Sequence, residues 1–366
     1  MNISMNERLN QLDTSMQEMG MDALIITDPK HVYYLTGFAS DPHERFLGLA
    51  LRRGEEPVLI VPALDAEAAH AASSVQNIIT HSDTDHPYNL LKEQLKGTIS
   101  SLGIEKGQLT VSRFELLQES LGAHTYQDIG PILQSLRVQK TPEEVVRMKH
   151  AVHLIEEVLR QGLTQVKVGV TEVELVAELE YLMKKLGADG PSFETMVLSG
   201  PNTALPHGVA GQRKIQNGDL LMFDMGVFAN GYASDITRTF AVGELNKELS
   251  TLYNTVLEAN LQGIQSIRPG VTLASVDQAA RSVIERAGYG PQFMHRLGHG
   301  LGMDVHEYPS IHGNNTDLVQ AGMVFTVEPG IYVPGLGGVR IEDDIVVTHD
   351  GVEILTSFPK ELTILG

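Results

Sequence analysis

Gly218-Asp-Leu-Leu-Met-Phe-Asp224-Met-Gly226 returns 104 residues later as Gly322-Met-Val-Phe-Thr-Val-Glu328-Pro-Gly330. In both copies a carboxylate holds the seventh position of a mainly apolar run that reads as a strand. Upstream, Gly169-Val-Thr171 recurs as Gly270-Val-Thr272, and Gly187 matches Gly288, both at an offset of 101 residues. Each copy is therefore expected to hold a helix followed by an antiparallel hairpin. Each has an apolar face that needs covering, so two such units would pack about a pseudo-twofold axis, curved sheet inside and helices outside. The axis would pass near the matched acids.

Asp224 and Asp235 flank an Asn230-Gly231 turn signal almost symmetrically, and Glu328 and Glu342 flank Gly335 in the same way. On one face of a hairpin, two carboxylates at that range repel each other by kcal/mol amounts unless a cation lies between them. Four such acids in otherwise apolar strands call for one or two divalent metals. Histidine supplies the remaining chemistry. His295-Arg-Leu-Gly-His299 and His306 precede the second acid pair, and Pro206-His207-Gly208 precedes the first. One imidazole with four carboxylates suits a dinuclear site of manganese, cobalt or zinc. Taken singly, each of these residues would read as an edge acid or a structural histidine, and only the matched repeat overturns that. Asp343 and Asp344 are assigned a place behind the site or in solvent. The pattern Gly298-x-Gly300-x-Gly302, without a preceding strand, is a weak nucleotide signal and is discounted.

The chain is 366 residues long, which points to two domains. Leu9, Leu12 and Met16 predict a helix over 5–19, and Asp22-Ala-Leu-Ile-Ile-Thr27 predicts a buried strand. Further strands are expected at Phe46–Leu51, Pro57–Val61 and Gln108–Val111, making an α/β domain over residues 1–136. A catalytic domain of α+β type then follows over 137–366, entered through a helix with Thr141 as cap, Pro142 at its first turn and Glu144 completing a capping box. The net charge is −19, shared almost equally by the two parts, which disfavours nucleic acid and anionic membrane surfaces as partners. The absence of cysteine excludes disulfides, thiolate metal sites and a cysteine nucleophile. With no signal-like or membrane-spanning stretch, a cytoplasmic location is expected.

These residues resemble the pita-bread metallopeptidase family and, within it, the Xaa-Pro peptidases. Five blocks carry the likeness: Pro206-His207-Gly208, Phe223-Asp224-Met-Gly226, Ser234-Asp235-Ile-Thr-Arg-Thr239, Gly298-His299-Gly300 with His306-Glu307, and Val327-Glu328-Pro-Gly330 with Arg340-Ile-Glu342. Asp22–Asp28 with Val32–Phe38 resembles the family's creatinase-like N-terminal domain, so the resemblance spans nearly the whole chain. It implies two divalent ions held by Asp224, Asp235, His299, Glu328 and Glu342, with a hydroxide bridging them as nucleophile. It also implies Glu328 as proton shuttle, His207 and His306 on the substrate, His295 close by, and Arg340 behind the metal ligands. The expected substrates are small peptides with proline second. The 14-residue spacing of Glu328 and Glu342 favours an Xaa-Pro dipeptidase, with aminopeptidase P on longer peptides as the alternative and a metal-free chaperone-like relative as a third reading. The charged segment Ser40-Asp-Pro-His-Glu-Arg45 is either a solvated turn or a cover for the partner's site in a homodimer.

Overall fold

In the computed structural model, which describes residues 5–365, the chain forms two compact units that meet in sequence at Arg137 and Val138. The first unit is a six-stranded sheet. Its strands lie in the order Asn77–His81, Val58–Pro62, Gly48–Arg52, Ala23–Ile26, Ser101–Ile104 and Thr125–Asp128. Ala23–Ile26 is buried on both faces, as its unbroken apolar run requires. The helix Met5–Glu18 precedes it, and the helix Pro29–Thr36 follows, starting where the Asp28 side chain accepts from the Lys30 and His31 N–H groups. The strand expected at Gln108–Val111 is not formed. Thr110 caps a helix instead, its hydroxyl accepting from the Arg113 N–H, so Val111 opens the helix Val111–Leu121 and the neighbouring strand is Ser101–Ile104.

The second unit contains the repeat. Thr141 and Glu144 form the capping box of the helix Pro142–Gly162, and Thr171 and Thr272 cap the helices Glu172–Lys185 and Leu273–Arg286. The backbone bonding of the two halves matches. Gly169 and Gly270 donate to the Ile215 and Val319 carbonyls, and Glu172 and Leu273 donate to those of Arg213 and Asp317. Each half builds a larger sheet and a smaller one, the smaller being Tyr232–Ala233, Val227–Ala229 and Gly190–Pro191 in the first and Gly330–Val333 with Gly337–Arg340 in the second. The larger sheet of the first half has the order Ile364–Leu365, Ile236–Val242, Leu220–Met225, Met196–Ser199; that of the second has Glu307–Ile311, Gly298–Gly300, Val324–Val327, Asp343–Val347, Val352–Ile354. Helix faces cover each larger sheet: Ile155, Leu159, Leu179 and Phe223 share one apolar core, and Leu252, Val256, Ile284 and Phe325 another.

Two glycines permit approaches that no side chain would survive. A Cβ at Gly226 would lie 2.0 Å from the Ser234 carbonyl oxygen, and one at Gly298 would lie 1.8 Å from that of Thr326. Both stand beside candidate ligands, so the strands carrying Asp224 and His299 press directly against their neighbours.

Candidate active site

The strand register decides how the acids meet. Val327 pairs with Asp343 and Gly330 with Arg340, which brings Glu328 level with Glu342 in the break between those ladders. In the first half the register is symmetric about Asn230-Gly231, and the two acids are not. Thr237, not Asp235, lies opposite Asp224, and Asp235 sits two residues back, on the same face because side chains alternate along a strand.

All nine candidate residues line one cavity of about 370 Å³: Asp224, Asp235, His299, Glu328, Glu342, His207, His295, His306 and Arg340. Asp235, His299 and Glu342 form its buried floor, their ligand atoms all within 4.8 Å of one another. Glu328 Oε1 is 3.3 Å from His299 Nε2, and Asp235 Oδ2 is 3.7 Å from it. Asp224 is set apart by an ion pair with the buried Arg340, whose guanidinium also donates to Tyr332 Oη (2.6 Å) and Thr237 Oγ1 (3.1 Å). The Tyr332 hydroxyl in turn lies 3.0 Å from His295 Nε2. His207 and His306 are exposed at the rim, although the His306 ring also packs 3.9 Å from that of His299.

The electrostatics of this floor call for a cation. Asp235 Oδ1 and Glu342 Oε1 are buried with no hydrogen-bond partner. Burial, reinforced by the neighbouring acids, pushes Asp235 and Glu342 well above the usual carboxylate range, and burial raises Glu328 to about 7. Burial also lowers His299 to about 3, so its imidazole is neutral at physiological pH. Its Nδ1 faces the Gly300 carbonyl at 3.2 Å, which assigns the proton to Nδ1 and turns the Nε2 lone pair toward two carboxylates. Once these acids are ionised, the lone pair and the carboxylate oxygens are all acceptors and have no mutual hydrogen bond to make. Oxygen and imidazole donors around such a point fit a divalent ion of the manganese, cobalt or zinc type.

Several site features escape sequence reading. Phe193, Arg296 and Val305 also line the cavity, and Tyr332 joins Arg340 to His295. Arg296 lies within the block that drew attention to His295, whereas Phe193, Val305 and Tyr332 carry no chemical signature in the sequence. Asp343 and Asp344 are not solvated; both are fully buried. Asp343 is bound by Arg238 (2.9 Å) and Lys360 (2.5 Å), and Asp344 Oδ2 accepts from the Asp235 N–H (3.1 Å), tying it to the floor of the site.

Residues 146–349 match metallopeptidase family M24, and residues 8–139 match the creatinase/prolidase N-terminal domain. The chain belongs to metallopeptidase family M24, with the two-domain architecture that the resemblance implied. A Bacillus subtilis (strain 168) protein provisionally named as dipeptidase YkvY is 42% identical over 361 residues, covering 98% of this chain and 99% of its own. Among solved structures, an Xaa-Pro dipeptidase from Bacillus anthracis is similar with a TM-score of 0.93 and 36% identity, covering 99% of this chain and 100% of that one. An X-Pro aminopeptidase from Thermotoga maritima is also similar, with a TM-score of 0.88 and 32% identity over 96% of this chain and 99% of its own. Among the described residues, no helix is long and apolar enough to cross a membrane.

Proposed function

We propose that this metallopeptidase is an Xaa-Pro dipeptidase working with two divalent ions, manganese or cobalt in preference to zinc, in the cytoplasm. Asp224, Asp235, His299, Glu328 and Glu342 hold the ions. The observation that carries the reading is the buried floor of Asp235, His299 and Glu342, with carboxylate oxygens that have no hydrogen-bond partner, beneath a cavity rimmed by His207 and His306. When bound, the metal supplies Lewis-acid activation of water near neutral pH. The protein's own groups do the rest. Glu328, whose carboxyl pKa is raised by burial, accepts a proton from the attacking water and returns it to the prolyl nitrogen as that nitrogen leaves. His207 and His306, at the rim, donate to the scissile carbonyl oxygen and stabilise the charge that develops there. Arg340 keeps Asp224 oriented, and His295 lines the wall beside Tyr332. The acidic pocket attracts the free α-amino group of a peptide N-terminus.

An assay of Xaa-Pro dipeptides, Xaa-Pro-Yaa tripeptides and Met-initiated peptides with manganese, cobalt and zinc tests the reading. The expected result is cleavage of dipeptides with manganese or cobalt. Cleavage restricted to tripeptides and longer replaces it with aminopeptidase P, the activity named for the Thermotoga maritima protein. A protein that neither contains nor takes up divalent metal sinks the enzymatic reading altogether in favour of a metal-free binding role.

The segment 40–45 belongs to the same proposal. Asp41 and His43 are exposed, while Arg45 is held by Asp83 at 2.7 Å. In a homodimer the exposed pair covers the partner's site and contacts the substrate. Replacing Asp41, His43 and Arg45 together is expected to change KM and substrate preference; kinetics identical to wild type make the segment a solvated turn.

A further inference from the structure

His207 stands near the tip of an exposed segment, yet a substrate contact needs a fixed imidazole. The segment begins after Ser199, the last residue of the strand Met196–Ser199, and returns through Gly211. Both feet rest on one carboxylate. Glu172, the first residue of the helix Glu172–Lys185, has no exposed surface. Its Oε1 accepts from the Ser199 N–H (2.7 Å), the Ser199 hydroxyl (2.8 Å) and Asn202 Nδ2 (3.0 Å). Its Oε2 accepts from the Gly211 N–H (3.0 Å) and again from Asn202 (3.2 Å). Arg213, paired with Asp219 at 2.6 Å, donates to the Ser199 hydroxyl at 2.6 Å and so directs that hydroxyl's proton to Glu172. Beside the Arg340 guanidinium near the Pro206 carbonyl (3.4 Å), the Thr203 hydroxyl accepting from the Gly338 N–H and the Gly211 carbonyl accepting from the Val173 N–H (3.1 Å), this carboxylate is the tie that reaches both ends of the loop.

The second half meets the same demand one helical turn further along. Asp277, also fully buried, accepts from the Leu297 N–H (3.1 Å) and pairs with Arg281. Arg281 donates to the carbonyls of Phe293 (3.0 Å) and His295 (2.9 Å). In each half, then, a buried acid on the corresponding helix ties down the segment carrying a histidine of the cavity. The two acids do not fall at matching positions in the repeat, so the common feature is the task and not an inherited residue.

We propose that Glu172 is a positioning residue for His207, clamping both ends of the segment 199–211 so that the imidazole stays at the rim of the active-site cavity. This rests on the reading of His207 as a substrate contact. Glutamine is a poor substitute for Glu172, because a backbone N–H points at each carboxylate oxygen and either placement of the amide sets its NH₂ against one of them.

The test combines Glu172→Gln, His207→Ala and the double variant, measured with an Xaa-Pro dipeptide in the metal-loaded enzyme, with amide hydrogen exchange as a second readout. Glu172→Gln is expected to lower kcat/KM by about tenfold and to add little once His207 is alanine. Exchange is expected to speed up over 199–211 and to stay unchanged in the strands Leu220–Met225 and Ile236–Val242. Glu174→Gln, which disturbs the capping box of the same helix, serves as the control and leaves the effect of His207→Ala intact. Should Glu172→Gln fail to fold, Asn202→Ala removes one donor of the clamp and reads the same coupling at about two- to threefold. The clamp is overturned if the two losses multiply or if exchange over 199–211 is unmoved. Full activity in His207→Ala instead overturns the reading of that histidine, and the exchange data still decide the clamp.

Discussion

Replacing Glu342 with glutamine is expected to abolish activity and, in the metal-free protein at pH 8, to raise stability. Glu342 is 1% exposed; its Oε2 accepts from the Thr237 hydroxyl at 2.7 Å and its Oε1 has no partner. Glutamine keeps the first bond through its carbonyl and turns an NH₂ toward the cluster that includes the unpartnered Asp235 Oδ1, removing one of the crowded charges. The pH dependence follows in sign. A carboxyl group whose folded pKa is raised contributes stability that is fully present below its unfolded value and lost as pH rises through the folded one. For Glu328 the folded value is about 7, so it alone accounts for ~3 kcal/mol, lost between roughly pH 4.5 and somewhat above 7. Asp235 and Glu342 shift in the same direction. His299, lowered to about 3, has the opposite dependence, but only below about pH 6.5. From pH 6.5 to 8.5 the metal-free wild type should therefore lose stability as Glu328 ionises beside the other acids, and Glu342→Gln, which takes one acid out of that cluster, should lose less. At pH 8 its melting temperature should lie a few degrees higher, on the usual scaling of about 2–4 °C per kcal/mol for a domain of this size. Manganese should stabilise the wild type strongly and the variant little, and kcat/KM should fall by ~10³-fold or more as the Lewis-acid contribution is lost. Thermal denaturation with and without chelator, beside the dipeptide assay, checks all of this. A metal-free variant less stable than wild type at pH 8 would falsify the picture of acids awaiting a cation.

How much of this was legible in the sequence depended on whether the information was local. The matched acids could be read because strand periodicity places alternate residues on one face and because the duplication prints the pattern twice. Glu328 and Glu342 are level about Gly335, as the spacing implied. Asp224 and Asp235 are two residues out of step, because the hairpin keeps one register about Asn230-Gly231 and that register pairs Asp224 with Thr237. Cap chemistry was equally local: it fixed the helix at Thr141, and the same chemistry at Thr110 makes a helix where a strand was expected. What escaped depended on residues distant in the chain. The apolar context of Asp343 gives no hint of Arg238 and Lys360, and Tyr332 gains its role only by standing between Arg340 and His295. Glu172 resembles any helix-opening acid until the segment 199–211 folds back upon it.

Arg340→Met should produce the largest loss of stability among single changes in the site. Arg340 is 4% exposed and serves Asp224, Tyr332, Thr237 and the Pro206 carbonyl together. Methionine fills much of the volume but strands the Asp224 carboxylate, and breaking a buried ion pair from one side costs about 3–5 kcal/mol. Two features separate this from simple loss of packing. First, Asp224→Asn in the same protein should restore part of the loss, since the stranded charge is gone; the double-mutant cycle then reads the pair and not the cavity. Second, the penalty should shrink when manganese is bound, because the ion takes over as the counter-charge for Asp224, and the difference should appear as a larger metal-induced rise in melting temperature than in wild type. Activity should also respond in a direction set by Glu328. Arg340 is the largest influence holding that carboxyl down against its burial, so its removal lets Glu328 rise further. The acid limb of the pH–rate profile should move to higher pH in Arg340→Met and stay in place in Tyr332→Phe, which leaves the guanidinium where it is. An unmoved acid limb in Arg340→Met removes Glu328 from the role of proton carrier, and an equal stability loss with and without metal removes Asp224 from the ligand set.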